Sequence, residues 1–132
     1  MSERHVDYAN TCFHYPVPTK IEGEPSYSTL TTLKKELQAN ASSVDSDLGG
    51  GDHGFLGLVL SDEDYAKIPN TQPFVAPTYP NALVIPSTAT AVEALSLREQ
   101  HKERINKHRE CANVEKALLR HLQRSVDPST LL

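Results

Sequence analysis

The side chains best suited to chemistry in this chain are its six histidines and two cysteines. His53 follows Asp52 inside the run GGGDHG, where glycine flanks let an imidazole project. A general base needs a pre-organised partner within hydrogen-bond reach, and nothing in the run supplies one. Asp52–His53 therefore reads as an ordinary loop pair. His101 and His108 lie seven residues apart and would share a helix face. His108 and Cys111 lie three apart, a two-ligand spacing. A structural zinc site takes four ligands, and two more are not evident nearby. Cys12 and Cys111 match no metal or redox spacing and read as free thiols in a reducing compartment. The glycine run lacks the Lys-Ser/Thr ending of a phosphate loop, and no dinucleotide fingerprint is assigned to it. GxSxG, HExxH and CxxC do not occur. The reading is therefore of a protein that is not an enzyme. It has no catalytic, cofactor-binding or metal-binding residue, no cofactor and no small-molecule substrate.

The chain has 132 residues and a formal net charge of -4. That is one domain's length, enough to bury roughly two-thirds of the surface the unfolded chain exposes. Leu, Ile, Val and Phe make 31 residues, slightly above the fraction of roughly 20% below which disorder is expected. A modest core with loose ends follows. An acidic balance argues against a free-standing nucleic-acid binder, whose affinity comes from neutralising phosphates. The cations Arg98, Lys102, Arg104, Lys107 and Arg109 alternate with Glu99, Glu103 and Glu110, so RNA contact there is at most weak. The first residues carry no signal-peptide core. No run of 18 apolar residues offers a membrane span. A cytoplasmic protein without membrane contact is expected.

The expected fold is mainly α. Residues 1–25, with Pro16, Pro18 and Pro25, read as an extended or mobile segment. A helical domain follows over 26–132. Tyr27, Leu30, Leu33, Leu37 and Ala41 recur at three- and four-residue steps, which predicts a helix over about 26–41 with one apolar face. Ser26 or Ser28 is its N-cap. The run FLGLVL at 55–60 fits either a short strand or a helix turn. Ser61 then caps a short helix at about 62–68, with Asp62, Glu63 and Asp64 in its first turn. Five prolines within 69–87 exclude a helix there and predict an extended segment, whose short apolar pieces pack along the helices or pair briefly as a small hairpin around Pro80–Asn81. From about 90 to 126 neither Pro nor Gly interrupts the chain. Thr90 and Glu93 fit a capping box, and one long helix is predicted. Its middle is polar, laced by Glu103–Lys107 and Glu99–Lys102 pairs. Asp127–Pro128 looks like the start of a further helix, so the domain is expected to be truncated at its C-terminus.

The string KIEGEPSYSTLTTLKKELQANASSVDSDLGGGDHGFLGLVLSDEDYAKI resembles the start of Gag-type capsid proteins of copia-type LTR retrotransposons of protists and algae. TQPFVAPTYPNALVIPSTATAVEAL and HRECANVEKALLRHLQRSVDPSTLL resemble the segments that follow in that family. The resemblance covers about Pro18 to Leu132. It implies the first half of a helical capsid protein that self-assembles into a particle around element RNA. It implies no catalytic residues. The chain departs from a full Gag in lacking a zinc knuckle and a basic tail. Self-association is the expected partnership, with Leu95, Ile105, Leu118 and Leu122 as core or assembly contacts. The alternative is a host helical adaptor that binds a protein partner through residues 69–86 or the glycine loop.

Overall fold

The computed structural model describes residues 7–69 and 71–126. It is a mainly helical domain with four α-helices among those residues: α1 (Tyr8–Thr11), α2 (Tyr27–Ser42), α3 (Asp62–Ala66) and α4 (Ala91–Ser125). Two 3-10 turns, Leu48–Gly50 and Leu56–Leu58, lie between α2 and α3. No described helix is long and apolar enough to cross a membrane.

Capping chemistry sets the boundaries. At α2, Ser26 Oγ accepts from Thr29 N while Thr29 Oγ1 accepts from Ser26 N, a reciprocal box. At α3, Ser61 Oγ accepts from Asp64 N, and three acids occupy the first turn. At α4, Thr90 Oγ1 accepts from Glu93 N. Each bond satisfies an orphan donor of a first turn. The 35 residues of α4 make a rod of about 50 Å, and none of its residues ahead of Cys111 is buried by the described part of the chain.

The core gathers around the second half of α4. Cys111, Val114 and Leu118 meet Ala41 and Val44 from the end of α2, and Phe55 from the glycine loop. Tyr8 and Phe13 complete the same cluster. The described part of the N-terminal segment is therefore not an extended tail. Asp7 caps α1 through Asn10 N, and Tyr8, Phe13 and Ile21 are buried. Ile21 N donates to Ser125 O at 2.6 Å, beside a parallel bridge between Ile21 and Val126. The proposed helix start at Asp127–Pro128 lies outside the described residues.

Several local expectations change or are decided between alternatives. Tyr27 is 89% exposed and Leu30 is exposed, so the inward face of α2 is Leu33, Glu36, Asn40 and Ala41. Polar partners supplied from outside α2 turned that face. FLGLVL resolves as a 3-10 turn, with Phe55 buried and Phe74 packed over Gly57. Residues 71–86 carry neither helix nor strand, so no hairpin forms at Pro80–Asn81. This strap packs along α4, the other of the two expected arrangements: the His101 imidazole lies 2.9 Å from Asn81 O, and Tyr79 meets His108 edge-on at 5.4 Å. Of the two expected ion pairs, Glu103–Lys107 forms at 3.7 Å, and Lys107 also reaches Asp47 at 3.0 Å. Glu99 and Lys102 do not pair.

Candidate functional site

The most concentrated polar chemistry is buried between α2 and α4. Asn40 projects from α2, with its orientation fixed by the loop before it. Tyr15 N donates to Asn40 Oδ1 at 2.8 Å, and Asn40 Nδ2 donates to Tyr15 O at 3.2 Å. The second Nδ2 hydrogen is thereby aimed at His121 Nδ1, 3.3 Å away. Since Nδ1 accepts, the proton sits on Nε2, which donates to Glu36 Oε1 at 2.9 Å. Glu36 Oε1 also accepts from Thr19 N at 3.1 Å. The tautomer follows from the network rather than from a located hydrogen.

His121 is 4% exposed and Glu36 3%. A histidine backed by a carboxylate is the usual layout of an acid–base dyad. Here the other ring nitrogen is capped by Asn40, so no lone pair faces a substrate or a metal. The arrangement is a clamp. It holds the 15–21 segment against two helices and leaves each buried group partnered, as a polar network in a low-dielectric interior requires.

Burial pushes the Glu36 carboxyl upward. The hydrogen bonds from Thr19 and His121 outweigh that and hold it below the ordinary glutamate value of 4.5. A carboxylate lowered in the folded state contributes stability that is present above its unfolded pKa. That contribution is lost as the pH falls through the folded pKa. Thermal melting should therefore drop below about pH 4, and Glu36→Gln should flatten that acid limb. An identical acid limb in the variant would show that Glu36 does not carry it.

The other candidates disperse. His53 lies edge-on to Tyr65 with ring centroids 6.4 Å apart. His101 and His108 hold the strap. Cys111 is buried, and burial raises its thiol pKa, with Glu115 and Glu110 adding to the effect. It is thus a poor thiolate donor. Cys12 and Cys111 are both free. Among the described residues no group of three or more His, Cys, Asp or Glu side chains could hold a metal ion.

The run Gly49–Gly54 does spell Gly-x-Gly-x-x-Gly. That spacing signals a dinucleotide only between a strand and a helix, whereas here it follows α2 and leads into a 3-10 turn. Its glycines serve packing. Gly54 has φ +54°, and a Cβ there would press on the carbonyl oxygens of Ala41, Ser42 and Val44. Gly49 has φ +63° and lies under the Tyr65 hydroxyl.

Of the four expected contacts, Leu118 is in the core, Leu122 and Ile105 are half-buried, and Leu95 is exposed. Sequence reasoning missed Glu36, Asn40 and His121. The signal was available: His121 and Ser125 continue the three-four spacing of Cys111, Val114 and Leu118 onto the core face.

No family model, curated protein or solved structure matches this chain. The class its fold defines is a small, mainly helical domain with one long C-terminal helix.

Proposed function

We propose that this chain is a non-enzymatic assembly domain of the Gag-type capsid kind, which self-associates through the first half of α4 and the strap beside it. In this reading the resulting particle encloses the element's own RNA in the cytoplasm. The sequence blocks quoted above are one support.

The observation that carries the proposal is the uneven covering of α4. Its second half packs against α1, α2 and Phe55. Among the described residues its first half meets mainly the strap, with Lys107 also reaching Asp47, and Val92 is 78% and Leu95 55% exposed. Val75, Tyr79 and Val84 on the strap are exposed as well. Six of the eleven exposed large apolar side chains among the described residues lie on the strap and the first half of α4, and an extended exposed apolar surface marks an interaction site. A helix that runs about five turns from Ala91 before its first buried residue, Cys111, is suited to packing against a second copy.

Sedimentation velocity of the full chain over a concentration series tests this. The weight-average mass should rise with concentration and persist at high salt, because apolar contacts are not screened. A strict monomer throughout would reject assembly by this chain.

A further inference from the structure

The last ten residues of α4, beyond Glu115, carry a charge pattern unlike the rest. Between Arg98 and Glu110 acids and bases alternate. From Lys116 to Ser125 there are three cations, Lys116, Arg120 and Arg124, and no acid. Their four-residue steps place them on one helix face, about 6 Å apart along the axis. All three are exposed, and none forms an ion pair with a described residue.

These cations line a groove of about 220 Å³ whose lining also includes Tyr8, Pro16 and Pro18. Two prolines have little conformational freedom to lose on binding. Asp7 also borders the groove, but its carboxylate is engaged with Asn10 N and Asn10 Nδ2 at 3.3 and 2.6 Å. His121 contributes to the lining with both nitrogens already partnered. The clamp thus fixes the second lining segment against α4 and presents the cationic row beside it.

We propose that this groove binds a linear phosphate chain laid along α4, with successive anionic groups on Lys116, Arg120 and Arg124. The groove is smaller than the roughly 300–1,000 Å³ of a drug-sized ligand site, which favours a slender ligand. A row of evenly spaced cations matches an anion whose charge repeats along its length. Arg offers two parallel donors to a phosphate, and two of the three positions are Arg. The same chemistry is offered by a free polyphosphate and by the backbone of a single-stranded nucleic acid. The site stands on the monomer's own residues and does not depend on assembly.

The test uses the full chain, held at a concentration where sedimentation gives only its smallest species. The probes are a fluorescein-labelled oligo(dT) of about 12 nucleotides and, as a separate titrant, inorganic tripolyphosphate. At least one should bind in low salt. For the oligonucleotide, log affinity should fall against log salt with a slope of about -2, as three phosphate contacts on a single strand predict. Arg120→Glu should weaken binding at least about tenfold while melting as the wild type does, and the milder Arg124→Gln should weaken it less. Lys102→Glu makes the same charge change elsewhere on α4 and should leave binding within about twofold. Binding of tripolyphosphate alone assigns the site to free phosphate chains, and oligonucleotide binding extends it to a strand. Failure of both probes, or equal weakening by Arg120→Glu and Lys102→Glu, overturns the proposal.

Discussion

Asn40→Ala should destabilise the domain by on the order of 3–4 kcal/mol. The side chain is fully buried and closes three hydrogen bonds: with Tyr15 N, Tyr15 O and His121 Nδ1. Its loss strands a backbone donor, a backbone acceptor and a ring nitrogen in a dry site. Each such group costs about 1–3 kcal/mol, reduced where water can follow. Against a total stability of roughly 5–15 kcal/mol this is severe. The midpoint of thermal unfolding should fall by roughly 10 °C or more. Leu30→Ala, on the exposed face of the same helix, should cost less than about 0.5 kcal/mol. Equal melting of the two variants would mean that the network does not clamp the fold.

Gly54→Ala should cost on the order of 3 kcal/mol, from two separable causes. A non-glycine residue at φ +54° carries about 1–2 kcal/mol of backbone strain. The added methyl then meets the carbonyls that end α2, with Ser42 O at 2.6 Å and Ala41 O at 3.0 Å. Those carbonyls cannot retreat, because Phe55 N donates to Ala41 O at 2.9 Å and draws the loop onto the helix end. Gly23→Ala is the control. Its φ is +72°, but nothing lies within 4 Å of the added carbon, so it should show the strain without the clash. A Gly54→Ala loss no larger than that of Gly23→Ala, read by urea or thermal unfolding, would leave the close approach without energetic weight.

The positions that local chemistry controls were legible in advance. Ser26, Ser61 and Thr90 announce helix starts because a hydroxyl beside a helical pattern has one good use. The uninterrupted run from 91 to 125 can be little but a helix. What was not legible depended on partners distant in sequence. Glu36, Asn40 and His121 are polar, and polarity alone assigns them to the surface. Only the return of the 15–21 backbone to the α2–α4 seam makes their burial favourable. Tyr8 and Phe13 were read as part of a loose segment because four helical residues give no periodicity to detect. The glycine run reads in sequence as an ordinary loop, whereas Gly54 is where two backbones touch. The row of Lys116, Arg120 and Arg124 does not show in the net charge of -4, where acids elsewhere in the chain outweigh it.

In the proposed assembly the two halves of α4 do different work: the second packs the core, and the first meets a second copy. Sedimentation of the double variant Val92→Asp, Leu95→Asp beside the wild type tests this most directly. Both side chains are exposed, so the variant should melt as the wild type does. The wild-type mass should grow with concentration, and the variant should stay monomeric over the same range. Association of the variant equal to that of the wild type would contradict this, because the exposed half of α4 would then not be the contact.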